Sequence, residues 1–89
     1  MPEATLEIRN IKGLHARASA KLVEVVEDHD ASATVSRDGM HADGDSIMGL
    51  LMLAASIGTT IHVRTEGPQE DALLTAITAL VDDYFGEGA

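Results

Sequence analysis

The 89-residue chain contains no cysteine and almost no aromatic residues. Without a thiol it can form neither a disulfide nor a thiolate nucleophile, and this composition fits a reducing compartment. Tyr84 and Phe85 are its only aromatic side chains, so the core has to be built from aliphatic residues and methionine. The sequence therefore also offers no aromatic platform for stacking nucleic-acid bases.

Basic residues and long apolar runs are scarce as well. The six Lys and Arg stand against 15 Asp and Glu, and the net charge of −9 argues against nucleic acid as a ligand. Much of the acid lies in the last predicted helix and the tail, which predicts a solvated acidic side remote from the functional site. The longest apolar run, 47–55, is far shorter than the roughly 20 residues that span a bilayer. We therefore expect a cytoplasmic monomer, without membrane contacts, folded as one domain over residues 1–89.

The hydrophobic pattern predicts alternating strands and helices. Apolar and polar residues alternate, as in strands with one buried face, in 4–9, 32–36, 40–43 and 60–64. A helical period runs from Ala16 to about Asp28, from the predicted cap Ser46 to about Ile57, and from Gly67-Pro68 to Gly86. This order predicts an α+β fold, β-α-β-β-α-β-α, in which two split β-α-β units form a four-stranded antiparallel sheet with three helices on one face.

The same periods assign inward-facing positions. They include Met40 and Ala42 in the third strand, Leu50, Leu53, Ala54 and Ile57 in the second helix, and Leu73, Leu74, Ile77, Leu80, Val81 and Tyr84 in the third. The second helix carries more apolar residues than one buried face can accept. We therefore expect its surplus, which includes Ile47, Met48 and Leu51, to be partly exposed and to form a docking surface.

The first helix begins just after His15 and lacks a Ser, Thr, Asp or Asn at its cap position. Its first amides, those of Ala16 and Arg17, should therefore be free to bind an anion. A neutral imidazole is a nucleophile near pH 7 and can accept a phosphoryl group, and the Arg17 guanidinium can bind phosphate oxygens. A histidine at a loop–helix junction without any special role is the alternative that the residues leave open.

Two other groups of residues are candidate sites. Ser46 is an N-cap by position, and phosphorylation there would place extra negative charge beside the docking surface. His41, Asp43 and Asp45 alternate like metal ligands, but no fourth ligand is evident, and polar positions at a strand edge explain them. We therefore expect no metal site and no cofactor.

Gly13-Leu14-His15-Ala16-Arg17 resembles the phosphorylation motif of HPr, the histidine-containing phosphocarrier family of the phosphoenolpyruvate-dependent phosphotransferase system. Ser46 before an apolar helix resembles that family's regulatory serine motif, and Gly58-Thr59 before the last strand also fits. The resemblance extends over essentially the whole chain. It implies the family's open-faced β-sandwich.

The resemblance also implies roles for individual residues. His15 would accept a phosphoryl group on Nδ1 from the phosphohistidine of enzyme I and donate it to an enzyme IIA-type protein, with Arg17 contacting the group. Ser46 would be the target of an HPr kinase/phosphorylase. Ile47, Met48 and Leu51 would form the docking surface, and the chain would be a substrate of other enzymes rather than an enzyme.

The sequence departs from the family pattern at Ala18 and Ser19, where many members have a proline. Proline favours the first helical turn, so its absence should loosen the start of the helix slightly. The acceptor, in a sugar-transport or a nitrogen-regulatory branch, stays open. Two further hypotheses also stay open: a regulatory interaction module that acts mainly through Ser46, and an unrelated split β-α-β module that binds a small ligand or nucleic acid.

Overall fold

A computed structural model describes residues 1–89. In chain order the elements are β1 (Glu3–Glu7), α1 (Ala16–Glu27), β2 (Ser32–Arg37), β3 (Met40–Asp43), α2 (Ile47–Met52), β4 (Thr60–Glu66), α3 (Glu70–Asp82) and a 3₁₀ turn (Tyr84–Gly86). The predicted order of strands and helices is confirmed. No helix is long and apolar enough to cross a membrane.

The four strands form one antiparallel sheet in the order β1-β4-β2-β3. The hairpin between β2 and β3 turns at Asp38 and Gly39, whose φ angles of 50° and 80° are those of the tight turn that the Asp-Gly pair predicts. Each strand buries alternate residues, so that one face of the sheet is apolar and the other is polar. The helices cover the apolar face, and the predicted open-faced sandwich is confirmed.

The core is one cluster of 19 buried residues between the sheet and the helices. Aliphatic side chains dominate it, as the composition requires, and α1 contributes Ala18, Leu22 and Val26. The largest buried side chain is Phe85, which comes from the tail rather than from a regular helix. The tail is therefore packed into the core and has a fixed position relative to the sheet.

The second helix is shorter than predicted. It ends at Met52, because Leu53 is followed by Ala54 in the left-handed conformation (φ 51°), and the Arg37 guanidinium donates a hydrogen bond of 3.1 Å to the Leu53 carbonyl. Leu50 and Leu53 are buried as predicted. The prediction was wrong for Ala54 and Ile57, which are exposed, because the chain leaves the helix before they could turn inward.

The C-terminal helix also ends early. Tyr84 and Phe85 both have positive φ angles, 58° and 53°, so the helical period that placed Tyr84 in the core is broken at Asp83. Phe85 is buried and Tyr84 is partly exposed. In the third strand Ala42 is buried as predicted, whereas the prediction for Met40 was wrong: it lies next to the hairpin turn and is 42% exposed.

Candidate functional site

His15 is the N-cap of α1. Its backbone is extended (φ −77°, ψ −177°), and its carbonyl accepts the first helical hydrogen bond from the Ser19 amide at 2.8 Å. Its own Nδ1 accepts a hydrogen bond from the Arg17 amide at 3.3 Å. The prediction of a helix without a side-chain cap was therefore wrong. The imidazole of His15 accepts the hydrogen bond that a Ser or Asp oxygen usually accepts at this position.

The loop before His15 is pressed against the segment that follows α2. Gly13 has a φ of 63°, and a Cβ at this position would lie 2.4 Å from the Ala55 carbonyl oxygen. The same oxygen accepts the Leu14 amide at 2.9 Å, and the Leu14 side chain is buried in the core. Only glycine satisfies both the dihedral and the close approach, so Gly13 fixes where His15 leaves the loop.

The other ring nitrogen of His15 faces the tail. Nε2 contacts Oε2 of Glu87, and the two side chains are only 26% and 14% exposed. The buried Asn10 donates from Nδ2 to Glu87 Oε1 at 2.9 Å and to the Gly13 carbonyl at 2.8 Å. The hydrogen bond from Asn10, together with the bond and charge of His15 and the charge of Lys12, lowers the pKa of Glu87 against the opposing effect of burial.

The prediction that the acidic tail lies away from the functional site was wrong. Glu87 and Asn10 are both part of the site, and sequence reasoning missed them. Glu87 is 72 positions from His15 along the chain, and no local pattern connects the two. In the sequence Asn10 is only the residue that follows the first predicted strand. A polar residue with 0% exposure is the signal that only the structure gives.

Basic side chains surround a cleft beside His15. This cleft of about 450 Å³ is lined by Ile11, Lys12, Arg17, Lys21, Gly86, Glu87 and Ala89. Lys21 donates to the Phe85 carbonyl at 2.7 Å and so ties α1 to the tail, whereas the Arg17 guanidinium is exposed and forms no ion pair. The arrangement can bind an anion next to the ring.

Ser46 caps α2, as predicted: its Oγ accepts the Gly49 amide at 3.1 Å. On the same helix Met48 and Ile47 are exposed, by 69% and 40%. Leu51 is half-buried and lines a shallow depression of about 290 Å³ that also includes His15. An apolar surface therefore extends from α2 to the edge of the histidine site.

His41, Asp43 and Asp45, the candidate metal ligands, do not form a metal site. His41 Nδ1 hydrogen-bonds the Ser36 hydroxyl at 2.8 Å on the polar face of the sheet. No group of three or more His, Asp or Glu side chains in residues 1–89 has the arrangement of a metal site.

The family model described as "PTS HPr component phosphorylation site" matches residues 2–83. The chain belongs to the HPr family. It is 47% identical over 81 residues to the phosphocarrier protein HPr of Cupriavidus necator, with 91% of each chain covered. It is 42% identical over 88 residues to HPr of Neisseria meningitidis serogroup A, with 99% of each covered.

The fold agrees with this membership. The crystal structure of HPr-C-His from Thermoanaerobacter tengcongensis has a TM-score of 0.93 to this chain at 34% identity, with 98% of each chain covered. Like its HPr relatives, the chain is a phosphocarrier of the phosphotransferase system rather than a catalyst.

Proposed function

We propose that His15 carries the phosphoryl group, accepting it on Nδ1 from the phosphohistidine of enzyme I and donating it to an enzyme IIA-type protein. The observation that supports this most is the position of Nδ1 at the start of α1, where it already accepts the Arg17 amide. The positive end of the helix dipole, worth about 0.3–1 kcal/mol for an exposed charge, favours an anion at this point.

In the transfer step the carrier supplies only a nucleophile and groups that bind the phosphoryl oxygens. The Nδ1 lone pair forms a bond to phosphorus, the donor's N–P bond breaks, and its electron pair returns to the donor ring. The Ala16 and Arg17 amides and the Arg17 guanidinium then bind the phosphoryl oxygens. Because His15 is partly exposed to water, this stabilisation is modest, and the group can be passed on.

Ile47, Met48 and Leu51 form the docking surface for both partners in this proposal. The exposure of Met48 and the depression that Leu51 shares with His15 support it. An apolar contact of this kind excludes water and aligns the two histidines for in-line transfer. We assign the exchange to the cytoplasm, with the chain acting as a monomer.

Ser46 is the regulatory residue in the same proposal, phosphorylated by an HPr kinase/phosphorylase. It is partly exposed at the start of α2, next to Ile47. A phosphoserine there adds about −1.5 to −2 charges at a helix N-terminus, which the helix tolerates, beside a surface that must be desolvated on docking. Its effect should therefore be on docking rather than on folding.

Labelling with enzyme I tests the carrier function. The chain is incubated with enzyme I, Mg²⁺ and radiolabelled phosphoenolpyruvate, and the product is treated with acid and with base. We expect one phosphate that is labile in acid and stable in base, and none in His15→Ala. His62→Ala, on the polar face of the sheet, is the matched control and should be labelled like the wild type. Equal labelling of His15→Ala, or no label in the wild type, would contradict the proposal.

A further inference from the structure

The contact between Glu87 and His15 determines where the imidazole carries its proton. A neutral imidazole has one N–H and one bare nitrogen, and the partner of one nitrogen sets the state of the other. Nε2 faces the Glu87 carboxylate, which only accepts hydrogen bonds, and Nδ1 faces the Arg17 amide, which only donates. Both partners therefore require the same tautomer, with the proton on Nε2 and the lone pair on Nδ1.

We propose that Glu87 is a positioning residue for His15: its carboxylate holds the ring proton on Nε2 and so presents Nδ1 as the phosphoryl acceptor. This inference rests on the proposed carrier function and adds to it a residue from the other end of the chain. The exposed Arg17 amide bond is long, at 3.3 Å, so Glu87 is the stronger of the two determinants.

The orientation of Glu87 is itself fixed by Asn10. The Asn10 side chain is fully buried, and its Nδ2 donates to both the Gly13 carbonyl and Glu87 Oε1. A flipped amide would place Oδ1 against the Gly13 carbonyl, so the NH₂ group has to point at the carboxylate. The proton on His15 is therefore specified through a series of contacts that starts at the backbone of the loop.

The conformation of the tail places the Glu87 carboxylate against His15. The positive φ angles of Tyr84 and Phe85 turn the chain out of α3, and Phe85 anchors it in the core. Lys21 holds the Phe85 carbonyl, and the Ile11 amide donates to the Ala89 carbonyl at 3.2 Å. Glu87 lies between these two attachments and is held on both sides.

The same placement serves both directions of transfer. When Nδ1 takes up the phosphoryl group, the proton on Nε2 stays, and the ring becomes positively charged beside the carboxylate. When the Nδ1–P bond breaks, its electron pair returns to Nδ1, and the neutral ring is regenerated without any proton exchange with water. Glu87 therefore stabilises the charged ring and leaves the acceptor tautomer ready for the next cycle.

The Glu87→Gln variant distinguishes this role from simple packing. Asn10 keeps hold of the amide oxygen, so the Gln NH₂ group points at His15 and donates to Nε2. This reverses the tautomer and moves the ring proton to Nδ1, which then has no lone pair for phosphorus. Glu87→Ala removes the carboxylate that accepts the Nε2 proton but puts no donor in its place, so it does not favour the opposite tautomer. Asp83→Asn, an exposed carboxylate in the same segment, is the matched control for charge.

Long-range ¹H–¹⁵N spectra of the free protein, at a pH where the ring is neutral, report the proton position. Lys12, Arg17 and Lys21, the other charged residues that line this cleft, are unchanged in every variant. We expect the proton on Nε2 in the wild type and in Asp83→Asn, and on Nδ1 in Glu87→Gln. A proton on Nδ1 in the wild type, or on Nε2 to the same extent in Glu87→Gln, would overturn the inference.

Transfer rates from phosphorylated enzyme I give the second measurement. We expect Glu87→Gln to accept the group at least about tenfold more slowly than wild type, the loss typical when a residue that orients a functional histidine is changed. Glu87→Ala should lie between them. If the wild type takes no label while the spectra give the expected tautomers, the carrier function fails and the placement of the proton stands.

Discussion

At the scale of single residues, the site depends on positions that carry no chemistry themselves. Gly13 has no side chain, yet its φ of 63° and its contact with the Ala55 carbonyl define where His15 emerges. Gly39 has a similar φ of 80°, but a Cβ there would meet nothing within 4 Å. The two glycines therefore separate the cost of an unusual backbone from the cost of a steric clash.

We expect Gly39→Ala to lower the free energy of unfolding by about 1 kcal/mol, from backbone strain alone. Gly13→Ala should lower it by roughly 2–4 kcal/mol, since overpacking against Ala55 adds to the strain. Urea denaturation of both variants measures the difference. Equal losses would show that the approach to Ala55 is not a constraint on the loop.

At the scale of elements, the important feature is the break between α3 and the tail. A helix continued through Tyr84 would expose Phe85 and carry Glu87 away from His15. The observed break does the opposite: it buries Phe85, and full burial of such a side chain stabilises the fold by about 1.5–3 kcal/mol. The tail is thus an element of the site.

Phe85→Ala should lower the free energy of unfolding by about 3–5 kcal/mol, as deletion of a buried aromatic ring typically does. The adjacent Tyr84→Ala removes a partly exposed ring and should cost much less. Denaturant titrations of the two variants provide the measurement. If Tyr84→Ala were the more damaging change, the helical period of the sequence would describe the tail better than the structure does.

At the scale of the whole molecule, charge is unevenly distributed. The chain carries a net charge of −9, yet Lys12, Arg17 and Lys21 meet at the cleft beside His15. Asp43 and Asp45, by contrast, lie in the segment just before Ser46 and make that corner acidic. If Ile47, Met48 and Leu51 form the docking surface as proposed, further negative charge at Ser46 should oppose the binding of an acidic partner there.

Ser46→Asp and Ser46→Asn test this effect of charge. Both residues are good N-caps, so both variants should melt close to the wild type. We expect Ser46→Asp to bind an enzyme IIA-type acceptor about tenfold more weakly, because a carboxylate beside Ile47 has to be desolvated. Ser46→Asn should bind like the wild type, as measured by calorimetric titration.

A kinase assay provides the control for the modification itself. With HPr kinase and ATP, the wild type should acquire an acid-stable phosphate that Ser46→Asn does not. Equal labelling of that variant would mean that another hydroxyl is the target, and equal affinity of Ser46→Asp and Ser46→Asn would mean that charge at this corner does not control docking.

The sequence by itself determined the order of the elements, the antiparallel sheet and the cap at Ser46, because alternation, helical period and capping chemistry are local signals. It also singled out His15 and Arg17, because their positions at a loop–helix junction are local too. It misjudged Ala54, Ile57 and Tyr84, since periodicity assumes that a helix continues until a glycine stops it. A residue other than glycine that adopts the left-handed conformation cannot be recognised in the sequence as the end of a helix.

Only the tertiary structure decided the partners of His15. The tail returns to the start of α1 because Phe85 is buried in the core, and this brings Glu87 to Nε2 across 72 positions of sequence. Asn10 and Gly13 then orient the carboxylate through contacts that no pattern of neighbouring residues encodes. His15 can be singled out in the sequence, but the contacts of its ring depend on long-range packing.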